Sequence, residues 1–127
     1  MSRDSDFVDA ICEELFSENF EKYARSLSKA MNSDTDSYAK ARNALSKLNE
    51  SERADVLSFF KVVIADSASV ILGTLDGVHF PDNVSGDFSL TYEGEEIQGD
   101  LQDLFIEKAQ GDVYKCFDGL RAKNMEN

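Results

Sequence analysis

Histidine, proline and cysteine are nearly missing from these 127 residues, which hold one, one and two of them. With His79 as the lone histidine, catalytic triads, HExxH zinc sites and Cys/His metal clusters are excluded or crippled. Cys12 and Cys116 stand far from any CxxC spacing, and Met1 to Asp9 lack the apolar run of a secretion signal. Both thiols therefore read as reduced and cytosolic. A disulfide between them is disfavoured there, and the expected location is the cytoplasm. Walker and GxGxxG motifs are absent. Asp34-Thr35-Asp36-Ser37-Tyr38 begins like a calcium loop, but the sixth position lacks glycine and Leu45 stands where the twelfth needs glutamate. Neither a metal nor a cofactor is expected.

Basic residues are scarce as well. Thirteen Lys and Arg against 25 Asp and Glu give a formal charge of −12. An acidic surface repels the phosphates of nucleic acids and of anionic membranes, so neither is an expected partner. The most apolar stretch, Ala54 to Leu75, carries Asp55, Lys61 and Asp66. A charge near a bilayer centre costs about 2.5–3.5 kcal/mol, so the segment reads as a core helix and not a membrane crossing. Apolar residues at 42% and charged residues at 30% describe one soluble globular domain over 1–127, with about 121–127 as a frayed tail.

Helical periodicity fills the first half. Phe7, Val8, Ile11, Cys12, Leu15, Phe16, Phe20, Tyr23, Ala24 and Leu27 step by three and four residues, and the stripe continues to Ala30 and Met31. Ser17-Glu18-Asn19 either splits that stripe into two helices or lies within one. A second helix is expected from Ser37 to Leu48 with Tyr38, Ala41, Ala44, Leu45 and Leu48 inward, after a capping box of Ser33 and Asp36. Asn49, with Glu52 three residues on, opens a third helix that runs to Leu75 and stops at Asp76-Gly77. Its apolar residues cover more than one face, which predicts a central helix packed from several sides.

After Gly77 the period changes. Val78-His79-Phe80 reads as a short extended run. Asp87 to Glu93 reads as a strand with Phe88, Leu90 and Tyr92 inward, and Glu95 to Gly99 as its partner with Ile97 inward. Asp100 is placed to cap a last helix, Leu101 to Gln110, and Val113, Tyr114, Phe117 and Leu120 suggest one more packed segment. The expected class is α+β: a helical N-terminal half of three to four helices, packed with a small antiparallel β-meander and a C-terminal helix.

Charge is spread unevenly along the chain. Residues 22–48 hold six bases and two acids, whereas residues 76–112 hold ten acids and one base. Glu93, Glu95, Glu96, Asp100 and Asp103 fall together in the hairpin and the helix start after it, with Tyr92 and Phe80 as nearby aromatics. Like charges this close repel, so folding gains nothing from gathering them unless something cationic compensates. They form either a solvated acidic surface or a docking face for a basic protein partner, which such a face attracts by electrostatic steering. Asp66 interrupts an apolar helix and is a possible buried polar site, the alternative being a polar seam shared with Asp55, Ser58 and Ser69. Two other roles follow from single features: an oligomer, possible as a homodimer, paired through the Phe7–Met31 stripe, and a small enzyme centred on Asp66 and His79.

Three stretches carry a further likeness: the helix end Ala65-Asp66-Ser67-Ala68-Ser69-Val70-Ile71-Leu72-Gly73-Thr74-Leu75-Asp76-Gly77, the acidic hairpin, and Asp100-Leu101-Gln102-Asp103-Leu104-Phe105. In size, acidity and layout across Asn49 to Gln110 the chain resembles small acidic bacterial proteins of the toxin-immunity type. The resemblance implies a non-enzymatic inhibitor that occludes the active surface of a basic toxin. No site residue is taken from it.

Overall fold

A computed structural model describes residues 2–30 and 35–114, apart from the side chains at 112 and 114. The expected roles of Ser33, Cys116, Phe117, Leu120 and the 121–127 tail lie outside the described residues. The architecture is α+β, mostly helical with a two-stranded antiparallel ladder and a C-terminal helix.

The N-terminal stripe forms one continuous rod. α1 (Arg3–Cys12) passes into a π-helical stretch (Glu13–Asn19) and then into α2 (Phe20–Leu27), with right-handed helical dihedrals at both junctions. Ser17-Glu18-Asn19 therefore widens the helix without breaking it. The apolar spacing supplies a reason. Val8, Cys12, Phe16 and Phe20, all buried, recur every four residues. Four residues overrun a 3.6-residue turn, so such a stripe drifts by ~40° per step on an α-helix. The wider π turn takes that drift back and keeps all four side chains inward. At the rod's start, the Ser2 hydroxyl hydrogen-bonds the Asp4 carboxylate and holds it below its ordinary value.

α3 (Ser37–Leu45) begins at Asp36, whose carboxylate accepts the Ala39 N–H at 2.8 Å. It ends three residues earlier than its pattern implies, and its buried side is Ala39, Arg42 and Leu45, whereas Tyr38 and Ala44 are exposed. The winning contact is polar. Arg42 Nε donates to the Ser26 carbonyl at 2.9 Å, adding a cationic donor at the negative end of α2 to the Lys29 N–H that this carbonyl also accepts. α4 (Glu50–Asp76) opens with the predicted Asn49–Glu52 capping box and closes at Gly77 in the left-handed region (φ 77°). α5 (Leu101–Ala109) runs into a further π turn (Gln110–Tyr114).

The core lies where α1, α4 and α5 meet. Val8, Cys12, Phe16, Ala65, Leu72, Ile97, Leu101, Phe105, Ala109 and Val113 form one buried cluster, with Phe16 and Phe105 stacked at 6.2 Å between centroids. α5 is the hub, packing against both α1 and α4. α4 is not enveloped, contrary to its sequence pattern. Ala65, Leu72 and Gly73 are its buried residues, and 17% of its most apolar eighteen-residue window is buried. α5 and the π turn after it cover one side of it and α2 touches it briefly, which leaves Phe59, Val63, Val70 and Ile71 exposed. By length and composition α4 is the one described helix apolar enough to cross a membrane.

Gly73 marks the crossing of α4 and α5. A Cβ there would stand 2.5 Å from Gln102 Nε2, which donates to the Ser69 carbonyl at 3.0 Å. Helix propensity alone favours alanine over this glycine by about 1 kcal/mol. Gly73→Ala displaces the flexible Gln102 amide and loses a hydrogen bond of similar worth. Gly73→Ala is expected to be near neutral in the native chain and stabilising by about 1 kcal/mol when Gln102 is also Ala, read from denaturant midpoints of the four variants.

Candidate functional site

Between α4 and α5 the chain makes a long excursion over residues 77–100, and one side chain fixes both of its ends. Asp76, the last residue of α4, turns its carboxylate onto the start of α5. Oδ1 accepts the Gly99 N–H at 2.6 Å and the Leu101 N–H at 3.2 Å, and Oδ2 accepts the Gln102 N–H at 2.7 Å. Asp100, expected to cap α5, makes no side-chain cap bond. Its place at the helix start is filled from the sequence-distant Asp76. The opposite edge of the base is set by Gly77, where the Val78 and His79 N–H groups return to the Gly73 carbonyl.

Within the excursion the regular pairing is short. β1 (Thr91–Tyr92) and β2 (Glu95–Glu96) pair antiparallel, Thr91 against Glu96 and Tyr92 against Glu95. The two residues between them, Glu93 (φ 54°) and Gly94 (φ 80°), both have positive φ, as the mirror-image hairpin turns require. Beyond the ladder, side chains replace strand bonds. The Leu90 N–H donates to Gln98 Oε1, the Ile97 N–H donates to the Leu90 carbonyl, and the Ser89 hydroxyl donates to a Glu96 oxygen. Ile97 is the buried anchor, as expected. Phe88 and Tyr92 are exposed, which corrects their inward placement. Val78-His79-Phe80 makes no strand. Ile97 and the half-buried Leu90, inward as expected, hold the hairpin on the core, and the side chains of Thr91 to Glu96 face water.

The residues that the sequence singled out are thus at the surface. Tyr92, Glu93, Glu95, Glu96, Asp100 and Asp103 are all exposed. Glu93 to Glu96 occupy the hairpin tip, and Asp100 and Asp103 sit at the positive end of the α5 dipole, which favours carboxylates. Glu95 pairs with Arg3 at 3.3 Å, an exposed contact of little energetic weight. None of the six ion-pairs with the cations of residues 22–48 among the described residues. Phe80, expected beside Tyr92 as an aromatic of this surface, is 70% exposed; the rest of its apolar part went unread, with Val78 60% exposed and Val84 and Phe88 also in water. The one legible signal was the lone Pro81, which bars the preceding run from a central ladder.

Asp66 is exposed, so it is not a buried polar site. One helical step beyond the buried Ala65 carries it out of the α5 contact. It borders a cleft of about 300 Å³ lined by Ala65, Ser69, Val70, Phe105, Ile106 and Ala109. His79 is exposed and takes no part in that cleft, so the two residues do not build one centre. Compared with protein families, with curated proteins and with solved structures, the chain matches none.

Two substitutions test this geometry. Asp76→Ala leaves three N–H groups without their acceptor and is expected to cost about 2 kcal/mol, with hydrogen exchange at the Leu90 and Ile97 amides rising first. Glu93→Asn suits positive φ better and is expected to stabilise by about 1 kcal/mol in chemical denaturation.

Proposed function

We propose that the protein is a non-enzymatic, cytoplasmic binding module that docks a basic protein through the excursion between α4 and α5. One observation carries the reading. Residues 77–100 contain six carboxylates and no Lys or Arg, and the same segment keeps Val78, Phe80, Val84, Phe88 and Tyr92 in water. A surface built only for solubility has no use for exposed aromatics, because each adds apolar area that water disfavours. Nucleic acid and anionic membrane are repelled by the charge. A cationic protein is steered by the carboxylates and anchored by aromatic contacts, the residue types that dominate interface energies.

The finer reading is an immunity-type inhibitor that covers the active surface of a basic toxin. Its support is the layout of an acidic hairpin on a small helical body.

The test uses the purified product of any adjacent gene that encodes a basic protein, measured by titration calorimetry at several salt concentrations. Binding is expected to weaken steeply with salt, and reversing Glu93, Glu95 and Glu96 to Lys is expected to weaken it by roughly a hundredfold, about 3 kcal/mol. Absence of binding at low salt, or affinity unchanged by the reversal, removes the reading.

A further inference from the structure

The second unusual surface lies on the outer face of α4, away from the acidic excursion. Phe59, Val63 and Val70 recur at steps of four and seven residues, continuing Val56, and so form one stripe along the helix. Phe59 is 57% exposed and Ile71 62%. Beside the stripe, α2, α3 and α4 enclose an open groove of about 370 Å³ lined by Phe20, Tyr23, Leu27, Tyr38, Phe60 and Val63, with almost no polar atom in its walls. Tyr23 and Tyr38 meet at 6.3 Å on one wall, both partly in water.

We infer that this face is a homodimer interface in which α4 packs antiparallel against α4 of a second copy. Two observations select that occupant. The first is area. Phe59, Val63, Val70, Ile71, Tyr23 and Tyr38 together leave on the order of 600 Å² of largely apolar side chain in water, the upper end of what a monomer shows in one patch and most of the ~800 Å² per partner of a standard interface. The second is self-complementarity. The protruding Phe59 sits directly beside a hollow whose walls include Phe60 and Val63, so a two-fold axis places each knob in the other copy's groove, as a closed pair requires. Of the Phe7–Met31 stripe, the dimer face that the sequence suggested, the first part is spent on the core through Val8, Cys12 and Phe16, whereas Tyr23 and Leu27 line the groove.

Sedimentation equilibrium of the full chain tests the assignment. The expected species has twice the 14.2 kDa chain mass at micromolar concentration. Phe59→Glu is expected to weaken the pair on the order of a hundredfold, with thermal unfolding of the monomer unchanged because the side chain is largely in water. Val63→Glu is expected to behave alike, whereas Glu95→Lys in the hairpin leaves the dimer intact. A monomer at 100 µM (roughly where interfaces of this size already associate), or a dimer that survives both glutamates, overturns the assignment. So does flotation of the native chain with phosphatidylcholine vesicles that Phe59→Glu abolishes, because the face would then belong to a bilayer.

Discussion

Everything beyond the helical body depends on where one carboxylate points. Asp76 ends α4, at the negative end of that helix, where an acid is electrostatically misplaced. It is held there because its two oxygens take three N–H groups at the start of α5, whose dipole favours a negative charge. The bonds also solve a chain-entropy problem. An excursion of more than twenty residues has little reason to return to its origin unless its ends are joined, and here one side chain joins them. With the base closed, a two-residue ladder and a single buried isoleucine suffice to give the tip a fixed form.

The chain presents two kinds of surface, and their chemistry separates them. The excursion is negative with aromatic points, suited to a cationic protein that arrives by steering. The outer face of α4 is mainly apolar, with Phe59, Val63, Val70 and Ile71 in water and Asp66 beside them. The centre of that face lies ~20 Å along α4 from Asp76. A pair of copies joined through α4 would carry two excursions, and a partner with two matching sites would bind with avidity that neither excursion has alone.

Much of the local structure could be read from residues alone, because it is decided by neighbours in the chain. The Asn49–Glu52 capping box, the left-handed stop at Gly77 and the inward Ile97 each follow from side chains within a few positions. What resisted reading was decided at a distance. Asp76 reaches residues 23 to 26 positions away, and Arg42 finds the Ser26 carbonyl across two helices. Asp66 looked burial-prone because it interrupts an apolar run, yet the run itself is largely uncovered, a fact that no pattern within α4 contains. The acidic residues of the site were visible as a charge imbalance. The exposed Val78 and Phe88 were not, since an apolar side chain in a sequence gives no sign of whether a neighbour will cover it.

Closing the excursion at its base has a corollary for its length. The energetic penalty of a loop grows only with the logarithm of its length, so doubling the span between Gly77 and Gly99 adds roughly 0.6 kcal/mol. Leu90 and Ile97 tie the second half of that span to the core, so the freedom to lengthen belongs to the stretch before them, from Val78 to Ser89.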